Sequence, residues 1–183
     1  MKSLSSLALI AILLFACKLC SFTGNENKPA PTPTPTPQPL LYANDIIKQQ
    51  LGDFSLVKHT TKEEMRKTAS GFGIELLNQA QDAGVGEYRS AKGKTAILSV
   101  YSFSSPESAS SIVDQLEQEG RNPKSRTAII SNTQTANGKR MEALGLVGRK
   151  IQAMVVWNNG YWFFMTMSDG IADARALEKA VGY

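Results

Sequence analysis

Cysteine and histidine are nearly missing from this chain of 183 residues, which has two Cys, at 17 and 20, and one His, at 59. So few donors exclude a disulfide framework and any zinc site built from thiolates and imidazoles, which needs three or four of them at ligand spacing. Residues 40–183 hold no cysteine at all, so a fold there depends on its own apolar core, and a stretch of that length can supply one. No run in that region approaches the ~20 apolar residues of a membrane-crossing helix. The chain also lacks a G-x-S-x-G turn, an H-E-x-x-H helix and a P-loop. Gly71-Phe-Gly73 and Gly84-Val-Gly86 are without the third glycine of a dinucleotide turn. Ser55-Leu-Val-Lys58 matches S-x-x-K only in letters, because its alternation is that of a strand. His59 stands alone and reads as a surface or edge histidine. No metal or other cofactor is expected.

Charge of one sign is only in modest excess. The net charge is +4, or +3 once Lys2 leaves with residues 1–16, and that does not by itself call for a polyanionic partner.

What is present begins at the N-terminus. After Met1-Lys2, the residues from Leu4 to Phe15 form a charge-free apolar core that is too short to span a bilayer. They fit the central region of an export signal over residues 1–16, with small Ala16 at the cleavage position. Leu14-Phe15-Ala16-Cys17 resembles the lipobox of bacterial lipoproteins. That resemblance implies that Cys17 becomes the first mature residue and carries acyl chains. With Lys18 rather than Asp behind it, the resemblance also implies sorting to the outer membrane, facing the periplasm, in an organism with two membranes. Cys20 does not fit as the acceptor, since Lys18 and Leu19 precede it. A Cys17–Cys20 disulfide would close too small a loop to constrain much, and a Cys-x-x-Cys redox pair normally opens a helix within a folded domain. A plainly cleaved signal and an uncleaved anchor stay open beside lipidation, which is the favoured reading.

Six of the eight prolines lie between 29 and 39, in "PAPTPTPTPQP". Proline fixes φ and removes a donor, so residues 17–39 read as an extended, semi-rigid spacer with the lipid at its start. At ~3.1 Å per residue it could hold a domain up to roughly 70 Å from a membrane.

Residues 40–183 then read as one domain. A short helix over residues 42–51, closed by Gly52, precedes a strand near 54–59. Residues 62–83 have helical composition interrupted by Gly71 and Gly73. A hairpin follows, with strands near 86–90 and 95–103 joined by Ala-Lys-Gly-Lys. Ser105 and Pro106 open a helix whose Ala109, Ile112, Val113 and Leu116 form one stripe, with Gly120 expected to close it. Four strands come next, near 127–132, 139–146, 150–157 and 161–167, with Asn137-Gly138 and Asn159-Gly160 at turns. A final helix starts near 171. This order predicts an α+β fold, an antiparallel β-sheet with helices packed on it, and it allows a three-layer α/β/α sandwich. In "GYWFFMTM" both alternating faces are apolar, which predicts a central strand covered on both sides. The two better helices are expected on one face, with residues 41–51 and 62–83 on the other. The arrangement resembles the sandwiches of PsbP-like and Mog1-like domains, in architecture only, and carries no functional residue over.

Two groups stand out as candidate sites. Between 121 and 150, seven cations (Arg121, Lys124, Arg126, Lys139, Arg140, Arg149 and Lys150) face one acid, Glu142. If strand ends and turns gather them at one rim, they would bind an anionic surface; as edge-strand protection they would only block sheet-to-sheet association. Trp157, Tyr161 and Trp162 either pack the core or line a ligand pocket. No catalytic residue can be named. The leading expectation is a membrane-anchored envelope lipoprotein with a non-catalytic binding domain, meeting the membrane through its lipid and engaging an envelope protein or an anionic envelope polymer. Nucleic acid does not suit an exported chain. A small-ligand carrier using the aromatic pocket, or an envelope hydrolase using unpaired carboxylates, are the alternatives.

Overall fold

The computed structural model describes residues 42–69, 72–147 and 150–183. The elements run α1 (Ala43–Ile46), β1 (Gln50–Leu51), β2 (Phe54–Thr61), α2 (Lys62–Thr68), α3 (Phe72–Gln79), β3 (Asp82–Ser90), β4 (Thr95–Ser102), α4 (Pro106–Arg121), β5 (Thr127–Thr135), β6 (Gly138–Val147), β7 (Lys150–Asn159), β8 (Trp162–Ser168) and α5 (Ile171–Val181). All eight strands join one antiparallel sheet in the order β1-β2-β3-β4-β8-β7-β6-β5. The chain is therefore α+β, as its pattern predicts.

β8 lies inside the sheet, between β4 and β7. Phe164 on one face and Phe163 on the other are both fully buried, each in a separate core. Burying a side chain of this size contributes roughly 1.5–3 kcal/mol, so covering both faces roughly doubles what one strand position pair can gain. On the Phe164 face lie α1 and α5, with Ile46, Leu98, Val155, Trp157 and Leu177 between them and the sheet. On the Phe163 face lie α3 and α4, packed through Leu77, Ile112, Val113, Met141 and Val156, with Met65 of α2 against the same core. The three layers are those the sequence allows, but the expected grouping of the two better helices is wrong. α4 and α5 cover opposite faces, because α4 follows β4 and joins α3, while α5 follows β8 and joins α1.

Local signals set the starts of α4 and α2. Ser105 accepts a hydrogen bond from the Ser108 amide, 3.2 Å, ahead of Pro106. At α2, Thr61 and Glu64 form a reciprocal capping box, with the Thr61 amide donating to Glu64 Oε2 at 2.8 Å. Stops were less legible. Gly120 lies inside α4, which ends at Arg121 with Asn122 as its C-cap, and a Cβ there would come within 2.8 Å of Ile129 Cγ1. Its role is close approach of helix to strand. Gly52 does not close a helix either: residues 50 and 51 are strand, and Gly52, at φ +56°, turns β1 into β2. The helical stretch 62–83 is two helices followed by the start of β3; Gly71 lies outside the described residues. The turns fall one residue off the expected dipeptides, on Ala136-Asn137 and Gly160-Tyr161. His59 sits on β2 beyond the reach of two-residue β1, half-buried, and its Nε2 is buried without a hydrogen-bond partner.

Candidate interaction surface

The seven cations do not share one rim. β6 carries Lys139 and Arg140 at its start, and its far end pairs with Lys150 at the start of β7. With ten residues in β6, those two groups lie ~30 Å apart along the strand. Lys139 and Arg140 also face opposite sides of the sheet. Lys139 forms an ion pair with Asp114 of α4. Arg140 forks onto Glu178 of α5, with Nη2 2.7 Å from Oε2, and lies 2.8 Å from Glu142 on its own strand.

Glu142 takes a second guanidinium from Arg175 of α5, whose Nε donates at 2.8 Å. Its side chain is 4% exposed. Arg175 foremost, and then Arg140, hold the Glu142 carboxyl down at about 2 against the cost of its burial. Glu178 foremost, with Glu142, holds Arg140 above the ordinary guanidinium range. Arg140, Glu142, Arg175 and Glu178 thus form a neutral cluster that fastens β6 to α5. Glu142 is held from two sides and Glu178 by the Arg140 fork, so the cluster reads as a structural tie. Nothing in the spacing of Arg175 and Glu178 from Arg140 and Glu142 marks it, because the partners lie on elements brought together only by the sheet order.

Arg121 pairs with Glu117 one turn back on α4, Nε to Oε1 at 2.9 Å. Arg149 lies outside the described residues. Lys124, Arg126 and Lys150 are exposed and have no carboxylate partner among the described residues. Among the described residues none of these cations lies within edge strand β5 or β1, although Arg126 immediately precedes β5. β5 is interrupted instead by a register shift between Ile129 and Ser131, a device that itself discourages pairing.

The aromatic group is packed, not open. Trp157 is 4% exposed and stacks on Phe164, centroids 4.9 Å apart and planes 11° from parallel. Trp162 is half-buried, its ring centroid 6.3 Å from that of Phe164. Tyr161 occupies the turn, exposed. A shallow open groove does exist, but at Gln50, Asp53, Ser55 and Arg89, far from these rings. Among the described residues no cluster of three or more His, Cys, Asp or Glu could hold a metal ion.

Sequence reasoning missed an exposed apolar group beside the free cations. The last register pair between β7 and β8 is Ala153 with Ser168, whereas β6 and β7 continue to Val147 with Lys150. Their hairpin therefore projects past β8 by three residues, 150–152, or ~10 Å. Alternation puts Leu144, Leu146 and Ile151 on its α5 side, at 38%, 40% and 66% exposure. Arg126 is joined to this end through its carbonyl, which accepts the Leu146 amide at 3.0 Å. The turn between β3 and β4 lies at the same end of the sheet, with exposed Lys92 and Lys94. The signal was in "MEALGLV": once Glu142 faces α5, Leu144 and Leu146 must share its face where the helix has not yet begun.

No family model matches the chain, and no curated protein matches it. Among solved structures, a GTP-binding regulator from Thermotoga maritima is 16% identical, with a TM-score of 0.42 over 76% of this chain and 79% of that one. This is a weak likeness of architecture, and it says nothing about ligand or activity.

Proposed function

We propose that this protein is an envelope lipoprotein, held to a membrane by acyl chains on Cys17, whose domain works by binding at its surface and not by catalysis. The lipobox-like Leu14-Phe15-Ala16-Cys17 and the proline-rich spacer support the anchor. The observation that supports binding is the projecting β6–β7 hairpin, where Leu144, Leu146 and Ile151 remain in solvent next to unpaired cations. Exposed large apolar side chains grouped on a projection are a recognition feature more often than a structural one. The partner is an envelope component: a protein, or an anionic surface. The finer localisation to an outer membrane rests on Lys18 following the acceptor.

The anchor is tested by exporting the Cys17→Ser and Cys20→Ser chains and separating membranes from the soluble fraction. Cys17→Ser should be released and Cys20→Ser retained. Retention of both would remove lipidation at Cys17 from the proposal.

A further inference from the structure

We infer that the β6–β7 hairpin end of the sheet is a docking surface for an anionic lipid bilayer. Leu146 and Ile151 stand on a hairpin that extends beyond β8, so they can meet a planar surface that the helix layers would otherwise hold off. Arg126, whose carbonyl accepts the Leu146 amide, lies at this end, as does Lys150, next to Ile151 in the chain and turned by alternation to the α4 side, with Lys124 two residues before Arg126. None of the three has a carboxylate partner among the described residues. Apolar side chains that enter the headgroup region, ringed by cations that meet lipid phosphates, are the two components of interfacial membrane binding.

The alternative occupants fit less well. A second copy of the chain, placed face to face on this end, would bring like charges together around the apolar contact, which opposes association. Continuation of the sheet through β5 is discouraged by its register shift. An acidic protein would satisfy the cations but would need a shaped pocket for anchoring side chains, whereas a bilayer needs none. The inference rests on the anchored-lipoprotein reading only for the nearness of a membrane. Ala43, where the described chain enters the fold, is tied to Asp82 at the opposite end of the sheet.

The test uses the mature chain from residue 17 carrying Cys17→Ser, so that no acyl chain contributes and the anchor proposal stays out of the measurement. It is sedimented with phosphatidylcholine vesicles containing about one-third phosphatidylglycerol, and with pure phosphatidylcholine vesicles. Each cation near an anionic surface is worth a factor of about five, so association should favour the anionic vesicles by about a hundredfold. It should fade as salt rises from about 0.01 M to 0.15 M, where the Debye length shortens from ~30 Å to ~8 Å. Arg126→Glu with Lys150→Glu should reduce binding by at least tenfold, on the order expected for two charges, and Ile151→Ser should also reduce it. Lys179→Glu, an exposed reversal on α5, should leave it within about twofold, since only the surface field changes. An Ile151→Trp chain supplies a readout independent of sedimentation, an emission shift to shorter wavelength on anionic vesicles alone. Equal binding to both vesicles, or equal loss from Lys179→Glu, overturns the inference. So does concentration-dependent dimerisation abolished by Ile151→Ser without vesicle binding, which would assign the hairpin to a second copy.

Discussion

Arg140 on β6 and Glu178 on α5, 38 residues apart, meet as two planar forks, with Nη2 2.7 Å from Oε2 and Nε on Oε1. Sequence spacing reads Arg140 as one of a row of basic surface residues. The structure makes it a tie between sheet and helix. Replacing it with Ala leaves Glu178, 17% exposed, without its partner. Charge-assisted hydrogen bonds contribute ~1.5–3 kcal/mol, so a loss of about 2 kcal/mol is expected, a fall in Tm of about 5 °C for a domain of this size. Lys139→Ala should cost less than ~1 kcal/mol, because its pair with Asp114 is 31% and 40% exposed. Urea denaturation of the two variants decides; equal losses would show that the fork carries no special weight. A double reversal of Lys139 and Arg140 should therefore cost stability, a result that a turn position at a binding rim would not give.

The same cluster sets an acid limit. The folded Glu142 carboxyl, held at about 2, lies below its ordinary 4.5, so its stabilisation is fully present above about pH 4.5. It is lost as pH falls toward 2, on the order of 3 kcal/mol for a shift of that size. Glu64 and Glu107, lowered by hydrogen bonds at helix starts, move in the same direction. Unfolding free energy measured from pH 6 down to pH 2 should drop through that window. In Glu142→Gln the drop should be shallower, from a lower starting stability. An unchanged slope would mean that other carboxylates control acid unfolding.

Elements with strong local periods were legible from the chain, and relations between distant elements were not. Ser105-Pro106 and the stripe Ala109, Ile112, Val113 fix α4, because capping and amphipathic spacing act within a few residues. The two apolar faces of Phe163 and Phe164 fix β8 as interior, because nothing else satisfies them. Which face each helix covers depends on strand order, and no local pattern encodes that. For the same reason seven cations in 30 residues look like one cluster, whereas among those described Arg121, Lys139 and Arg140 are held in ion pairs and Lys124, Arg126 and Lys150 have no carboxylate partner. Exposure of Leu146 and Ile151 depends on where β8 ends and α5 begins, and that is a property of the neighbours.

Trp157 gives a sharp contrast between two substitutions. Its indole Nε1 is buried with no hydrogen-bond partner among the described residues, while its ring stacks on Phe164. Trp157→Ala should cost ~3–5 kcal/mol through lost contact and a cavity. Trp157→Phe keeps an aromatic ring there and removes a donor whose burial unpaired costs ~1–3 kcal/mol, so its net cost should be below about 1 kcal/mol. Denaturation with tryptophan emission of the remaining Trp162 measures both. A Phe variant as damaged as the Ala variant would indicate that the indole shape, not stacking area, is what the core requires.

Gly138 offers the last contrast, because Asn137-Gly138 looks like a turn dipeptide and is not used as one. The turn residues are Ala136 and Asn137, and Gly138 already pairs with Thr135 as the first residue of β6. A Cβ on Gly138 would stand 2.3 Å from the backbone oxygen of Asn158 and 2.6 Å from its side-chain Nδ2. Asn158 cannot simply swing away, since its Oδ1 accepts the Lys139 amide at 2.8 Å. Gly138→Ala should therefore push β6 from β7 and cost ~1–3 kcal/mol, the range for overpacking at a fixed contact. Gly93, by comparison, has nothing within reach of a new Cβ and only its φ of +76° to strain, so Gly93→Ala should cost ~1 kcal/mol. Hydrogen exchange separates the mechanisms: Gly138→Ala should raise exchange at the Lys139 amide, and Gly93→Ala should leave it unchanged. If Gly138→Ala stays within ~0.5 kcal/mol of the parent chain, as an ordinary surface substitution would, the close approach of Asn158 is not what requires glycine there.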